Sequence, residues 1–124
     1  MENQPMLHTM LIVIRHSPHD ARWLAEGLDV ALVGAVFGQS VKLLFMGQGV
    51  MGLIPAQHDA MGNPLSTSAI LETLDMYGIE ELLVPGSDLI QLNISQHDLM
   101  AGVSVIDDAQ LKACFSNASH VLTF

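Results

Sequence analysis

The sequence predicts an α/β fold, a three-layer sandwich with a mainly parallel five-stranded sheet. Three observations carry this. Apolar strand-like runs alternate with segments of helical period. The first run, HTMLIVIRH (8–16), is apolar and β-branched on successive residues, as in strands buried on both faces. The first two intervening segments stop at glycines, Gly38 and Gly78.

Taken in order, SPHD follows the first strand. Ser17 suits a helix cap, Pro18 the first helical position and Asp20 the first turn. This helix is expected to run to about Phe37 and stop at Gly38. Leu24, Leu28, Ala31 and Ala35 form its core stripe. Trp23, Val30, Val33 and Phe37 fall off that stripe, so the helix is apolar on more than one face. SVKLLFMG (40–47) is the second strand. The segment 49–64 holds two prolines, three glycines and little periodicity, and is expected to be a long loop that docks a partner. A second helix is expected over about 66–77 with Gly78 as its stop, then a third strand, IEELLVP (79–85). SDLIQLNI reads as a short helix and SQHDLM as a turn or a further short helix. VSVID (103–107) is the fourth strand, DAQLKACFSNA the last helix and SHVLTF the closing strand. Five strands in this length suit a flavodoxin-like or related sandwich, with residues 1–124 as one domain.

Composition narrows the function classes. Half of the 124 residues are hydrophobic and 14% are charged, too apolar for disorder. No apolar stretch reaches the roughly 18 residues of a membrane span. MENQPMLH shows no secretory pattern, so a cytoplasmic protein is expected. A small domain has much surface to cover with polar groups. The apolar excess therefore points to oligomerisation. The formal charge is −9, with four scattered basic residues, Arg15, Arg22, Lys42 and Lys112. Nucleic-acid binding draws on clustered Lys and Arg, so direct RNA or DNA binding is not expected.

GQGVMG (47–52) has the spacing of a dinucleotide-binding fingerprint. That motif opens a helix whose N-terminus holds the pyrophosphate. Here Pro55 falls where the helix should run, and the acidic residue at the right distance, Glu72, lies in an expected helix. The expected role is a turn that brings backbones close, and no cofactor is expected. Cys114, the single cysteine, excludes an internal disulfide. It lies on one helix face with Leu111, Phe115 and Ala118, away from the features that activate a thiol. A buried small hydrophobe is the favoured reading, with a catalytic or sulfur-carrying thiol as the alternative. His16 and His19 with Asp20 lie at the sheet edge where α/β proteins bind ligands, but the spacing alone does not make a metal site. His58-Asp59 and His97-Asp98 read as solvated loop pairs, and His120 as a partly buried edge residue. Nucleophile-elbow and P-loop patterns do not occur, and no catalytic constellation is assembled.

Three ordered stretches carry a family resemblance: IRHSPHDARWLAEGLDVALVGAVFGQSVKLLFMGQGV, LDMYGIEELLVPGSDL and VIDDAQLKACFSNASHVLTF. Together they resemble the DsrE/DsrF-like sulfur-relay proteins, and most the DsrF/TusC branch. Gly47-Gln48 depart from the acidic pair usual before Gly-Val in that family. The resemblance implies a subunit assembled with TusB/DsrH-like and TusD/DsrE-like partners in a dimer of heterotrimers. Such a complex passes persulfide sulfur towards tRNA 2-thiouridine, or serves dissimilatory sulfur oxidation. It implies that the carrier cysteine belongs to the TusD/DsrE-like subunit, after its third strand. The corresponding VPGSDLIQL here has none, which makes this chain a scaffold, not an enzyme on its own. Trp23, Val30, Val33 and Phe37 on the first helix, and Gly49, Val50, Met51 and Leu53 in the loop, are the expected interface residues. The alternative is a stand-alone homo-oligomer that binds a small ligand or sulfur species at the His16/His19 edge.

Overall fold

The structure is a computed structural model that describes residues 8–17, 23–55, 73–79 and 81–124. Five strands form one sheet: β1 (Thr9–Ile14), β2 (Ser40–Phe45), β3 (Leu82–Pro85), β4 (Val103–Ile106) and β5 (His120–Thr123). Their spatial order is β4-β3-β2-β1-β5. Every pairing is parallel, from Thr9 opposite Ser40 to Pro85 opposite Ile106. Parallel neighbours require crossover connections: α1 (Trp23–Val36) crosses from β1 to β2 and α2 (Gly86–Leu92) from β3 to β4, while α3 (Asp108–Asn117) links the two edge strands β4 and β5.

Alternation along the strands divides the core in two. Ile12, Ile14, Val41, Leu43, Phe45, Leu82 and Val84 point to a front cluster with Leu24, Leu28 and Ala31 of α1 and Leu89 of α2. Leu11, Val13, Leu44 and Leu83 point to the back, where Leu111, Cys114 and Ala118 of α3 pack. Both faces are covered, which is why the strands read as unbroken apolar runs. Of the expected α1 stripe, Leu24, Leu28 and Ala31 are buried and Ala35 half-buried. Gly38 ends the helix with φ +85°, a value that glycine adopts without strain.

The segment after β2 corrects the expectation of a loop. Residues Gly47–Leu53 form a 3₁₀ helix that places Val50 and Leu53 in the front core, both fully buried. The rest of the expected loop, 56–64, lies outside the described residues, as does most of the expected second helix. Residues 73–75 are helical, and the turn closes at Gly78, with the Ile79 amide donating to the Leu74 carbonyl at 3.1 Å. The third strand is correspondingly shorter than expected, starting at Leu82.

The fold also accounts for GQGVMG. Gly47 has φ +53°, and its amide donates to Asp88 Oδ2 at 2.8 Å, tying the turn to α2. Gly49 is pressed onto the end of β1. A Cβ there would collide with the Ile14 carbonyl oxygen and lie 2.6 Å from the carbonyl carbon. One glycine serves the turn and the other the close approach of two backbones.

Candidate functional site

In an open α/β sheet the place for chemistry is the carboxyl edge, where successive connections leave to opposite faces. Here β3 leads into α2 on the front and β4 into α3 on the back. A crevice of ≈ 540 Å³ opens between them, with Ser87, Ile90, Val105, Asp107 and Asp108 among its lining residues. Its polar groups are partly engaged. Asp107 Oδ1 accepts from the Gln110 amide at 2.8 Å, and Gln110 Oε1 accepts from the Asp107 amide at 2.9 Å. This capping box fixes the start of α3. What remains is an open, carboxylate-bearing depression without a thiol, an imidazole or a cation among its lining residues.

A second depression, ≈ 360 Å³, lies along the same edge between Arg15, Gly47, Gln48, Asp88 and Gln91. Sequence reasoning did not single out Arg15, Asp88 or Gln91 as a group. The available signal was positional, because Arg15 follows β1 and Asp88 stands in the first turn after β3. Nearby, the His16 ring stacks on Trp23, with centroids 4.6 Å apart and planes 15° apart. His16 Nδ1 is buried without a hydrogen-bond partner. His19 and Asp20 lie outside the described residues, as do His58 and Asp59. Among the described residues no cluster of three His, Cys, Asp or Glu side chains has the arrangement of a metal site.

Cys114 is on the far side of the sheet from the front cluster, half-buried. It shares a ≈ 210 Å³ depression with Lys42, Glu81, Gln110 and Asn117. Sequence reasoning placed no cation beside Cys114 and missed Lys42, which the fold brings over from β2. That ammonium sits 3.8 Å from Glu81 Oε2. The other described histidines, His8, His97 and His120, are exposed. His97 and Asp98 belong to a capping box on Ser95, whose hydroxyl accepts from the His97 amide at 3.2 Å. His120 is exposed rather than partly buried, 6.4 Å from the His8 ring.

The expected interface residues separate into two groups. Val50 and Leu53 are fully buried and Gly49 is buried against β1, so these three face the chain's own core. Met51 and Val30 are half-buried. Trp23, Val33 and Phe37 are exposed, at 40%, 57% and 79%. Apolar residues on the outer face of α1 are thus left exposed by the described residues, whereas Val50 and Leu53 of the 3₁₀ segment are not.

With this geometry in view, comparisons with known proteins agree closely. Residues 8–124 match the DsrE/DsrF-like family. The Protein TusC homolog of Pseudomonas aeruginosa is 32% identical over 118 residues, covering 95% of this chain and 99% of that protein. The Protein TusC homolog of Vibrio vulnificus strain CMCP6 is 29% identical over 90% of this chain and 95% of its own length. The intracellular sulfur oxidation protein DsrF of Allochromatium vinosum is 28% identical over 87% of this chain and 78% of its own. The crystal structure of the ychN protein from E. coli shares the fold, with a TM-score of 0.80 at 21% identity over 95% of this chain and 100% of that one. By match, relatives and fold alike, the chain belongs to the DsrE/DsrF-like family.

Proposed function

We propose that this chain is a scaffold subunit, carrying no transferable sulfur itself, in a heteromeric relay that passes persulfide sulfur towards 2-thiolation of the tRNA wobble uridine. One observation carries the reading. β3 ends at Pro85-Gly86-Ser87, where the resemblance puts the carrier cysteine of another subunit. The one cysteine present, Cys114, is half-buried beneath α3 on the opposite face of the sheet from α2. The partners are TusB/DsrH-like and TusD/DsrE-like subunits, arranged as a dimer of heterotrimers around this single DsrE/DsrF-like domain. The TusC relatives favour the tRNA branch.

A tagged chain purified from its native cells, with mass spectrometry of what accompanies it, tests the assembly. Two small α/β subunits are expected, one with a cysteine directly after its third strand. Recovery as a homo-oligomer alone removes the scaffold role and leaves the His16 edge as the place to look for a ligand. The 2-thiouridine content of tRNA from cells lacking the chain tests the destination, and its loss is expected. The DsrF relative favours a second reading, sulfur oxidation. That reading expects unchanged 2-thiouridine and a defect in sulfur oxidation.

A further inference from the structure

The amino edge of the sheet, opposite the crevices, holds the largest concentration of bare apolar side chains among the described residues. α1 ends there with Val33, Val36 and Phe37 exposed at 57%, 66% and 79%. The turn before β3 adds Met76 and Tyr77 at 84% and 50%. Both segments lead into neighbouring strands, since β2 and β3 pair directly, and both bury a side chain in the same front cluster, Ala31 from α1 and Leu74 from the turn. The topology therefore puts both groups at the amino edge, on the front of the sheet. Side chains of this size present on the order of 500 Å² of apolar surface, at the upper end of what a monomer leaves bare.

Among the described residues, the charged side chains next to these groups in the chain are acidic. Asp29 is exposed one turn before Val33 on α1, and Asp75 is exposed beside Met76. The basic residues lie elsewhere. Arg15 is at the carboxyl edge, Lys42 is beside Cys114 on the back, and Lys112 is on α3. Arg22 is outside the described residues. A two-fold contact between copies of this chain would set carboxylates against carboxylates, on molecules that each carry a formal charge of −9. We infer that the Val33/Val36/Phe37/Met76/Tyr77 patch docks a different protein, one with an apolar centre and a rim of lysine or arginine. This deepens the scaffold reading and rests on it for the identity of that protein.

The test is recovery of the two related α/β subunits by tagged full-length chain. Phe37→Glu with Met76→Glu is expected to lower their recovery at least about tenfold, as for the centre of an interface. Phe115→Glu, a control at an exposed residue of α3 on the back of the sheet, should leave recovery unchanged. Asp29→Lys with Asp75→Lys should weaken recovery at low salt, with the difference closing near about 0.5 M salt as screening removes the rim attraction. Unchanged recovery with Phe37→Glu/Met76→Glu overturns the patch and leaves the scaffold reading standing. Wild-type chain that brings down neither subunit overturns both. An isolated chain that is dimeric by light scattering, and monomeric as Phe37→Glu/Met76→Glu, shows that the occupant is a second copy and overturns the inference. A large fall in the melting temperature of the isolated double variant shows that the chain covers its own patch, and overturns it too.

Discussion

The two edges of this sheet are built for different work. At the carboxyl edge the backbone turns are tied down: Gly47 to Asp88, Gly49 against Ile14, and Asp107 with Gln110 in a capping box. Its depressions offer carboxylates, amides and one guanidinium, and no thiol. At the amino edge, apolar side chains of α1 and the turn at 76–77 are exposed among the described residues. Among the described residues, the edge where such folds place chemistry is orderly and carries no thiol, and the opposite edge carries exposed apolar side chains. That division also locates the apolar excess seen in the composition. Among the described residues, Val33, Val36, Phe37, Met76 and Tyr77 hold part of that surplus, and Trp23, Ile90, Phe115, Val121 and Leu122 are exposed elsewhere. Burial free energy available at the amino edge, at roughly 25 cal/mol per Å² of apolar surface, goes unrealised in the isolated chain.

The sharpest way to test this division is to damage the 3₁₀ segment that joins the carboxyl edge to the core. Val50→Asp buries a carboxylate at a fully enclosed position. A loss of about 4 kcal/mol or outright failure to fold is expected in urea unfolding. A stable Val50→Asp protein would mean that this segment lies at a surface after all. The same reasoning shows why a loss of assembly with Val50→Asp would say little about an interface. Gly49→Ala is expected next in size, at about 3 kcal/mol, because the added methyl meets the β1 backbone and not a flexible side-chain end. An alanine that costs under about 1 kcal/mol here would show that the two backbones can separate without loss.

Sequence reasoning saw the elements well and the contacts between elements poorly. Strand β1 and helix α3 were legible because an unbroken β-branched run and an Asp-initiated helix each announce themselves locally. Trp23, Val33 and Phe37 were legible as off-stripe residues because a helical face can be read from spacing alone. The 3₁₀ helix was not. Gly-Gln-Gly-Val-Met-Gly-Leu has the composition of a loop, and only tertiary contact with β1 and α2 explains why Val50 and Leu53 are inside. Lys42 beside Cys114 was missed for the same reason, since β2 and α3 are far apart in sequence. The pair Met76 and Tyr77 was hidden by the reading of 66–77 as an ordinary helix, whose exposed end attracts no notice until the end of α1 is seen at the same edge.

Smaller effects test whether the carboxyl edge owes its order to local hydrogen bonds. Asp107→Ala removes the side-chain acceptor for the Gln110 amide and should cost about 1 kcal/mol, as loss of an N-cap does. Asp107→Asn keeps an acceptor and should restore most of it. If both variants cost the same, the carboxylate serves the crevice and not the start of α3.

The smallest effect belongs to the back face. Lys42 and Glu81 are 3.8 Å apart with side chains 33% and 56% exposed. An ion pair so open to water is worth about 0.5 kcal/mol or less. Lys42→Gln should therefore leave the unfolding midpoint nearly unchanged, while leaving Cys114 as slow to react with a small alkylating reagent as in the wild type. Slow labelling that becomes fast only in urea fits a thiol packed under α3 against the Leu11, Val13 and Leu83 cluster. Fast labelling of the folded chain that falls on Lys42→Gln would make the ammonium an activator of the thiol. Chemistry would then sit on the back of the sheet rather than at either edge, and the contrast between the two edges would lose its functional meaning.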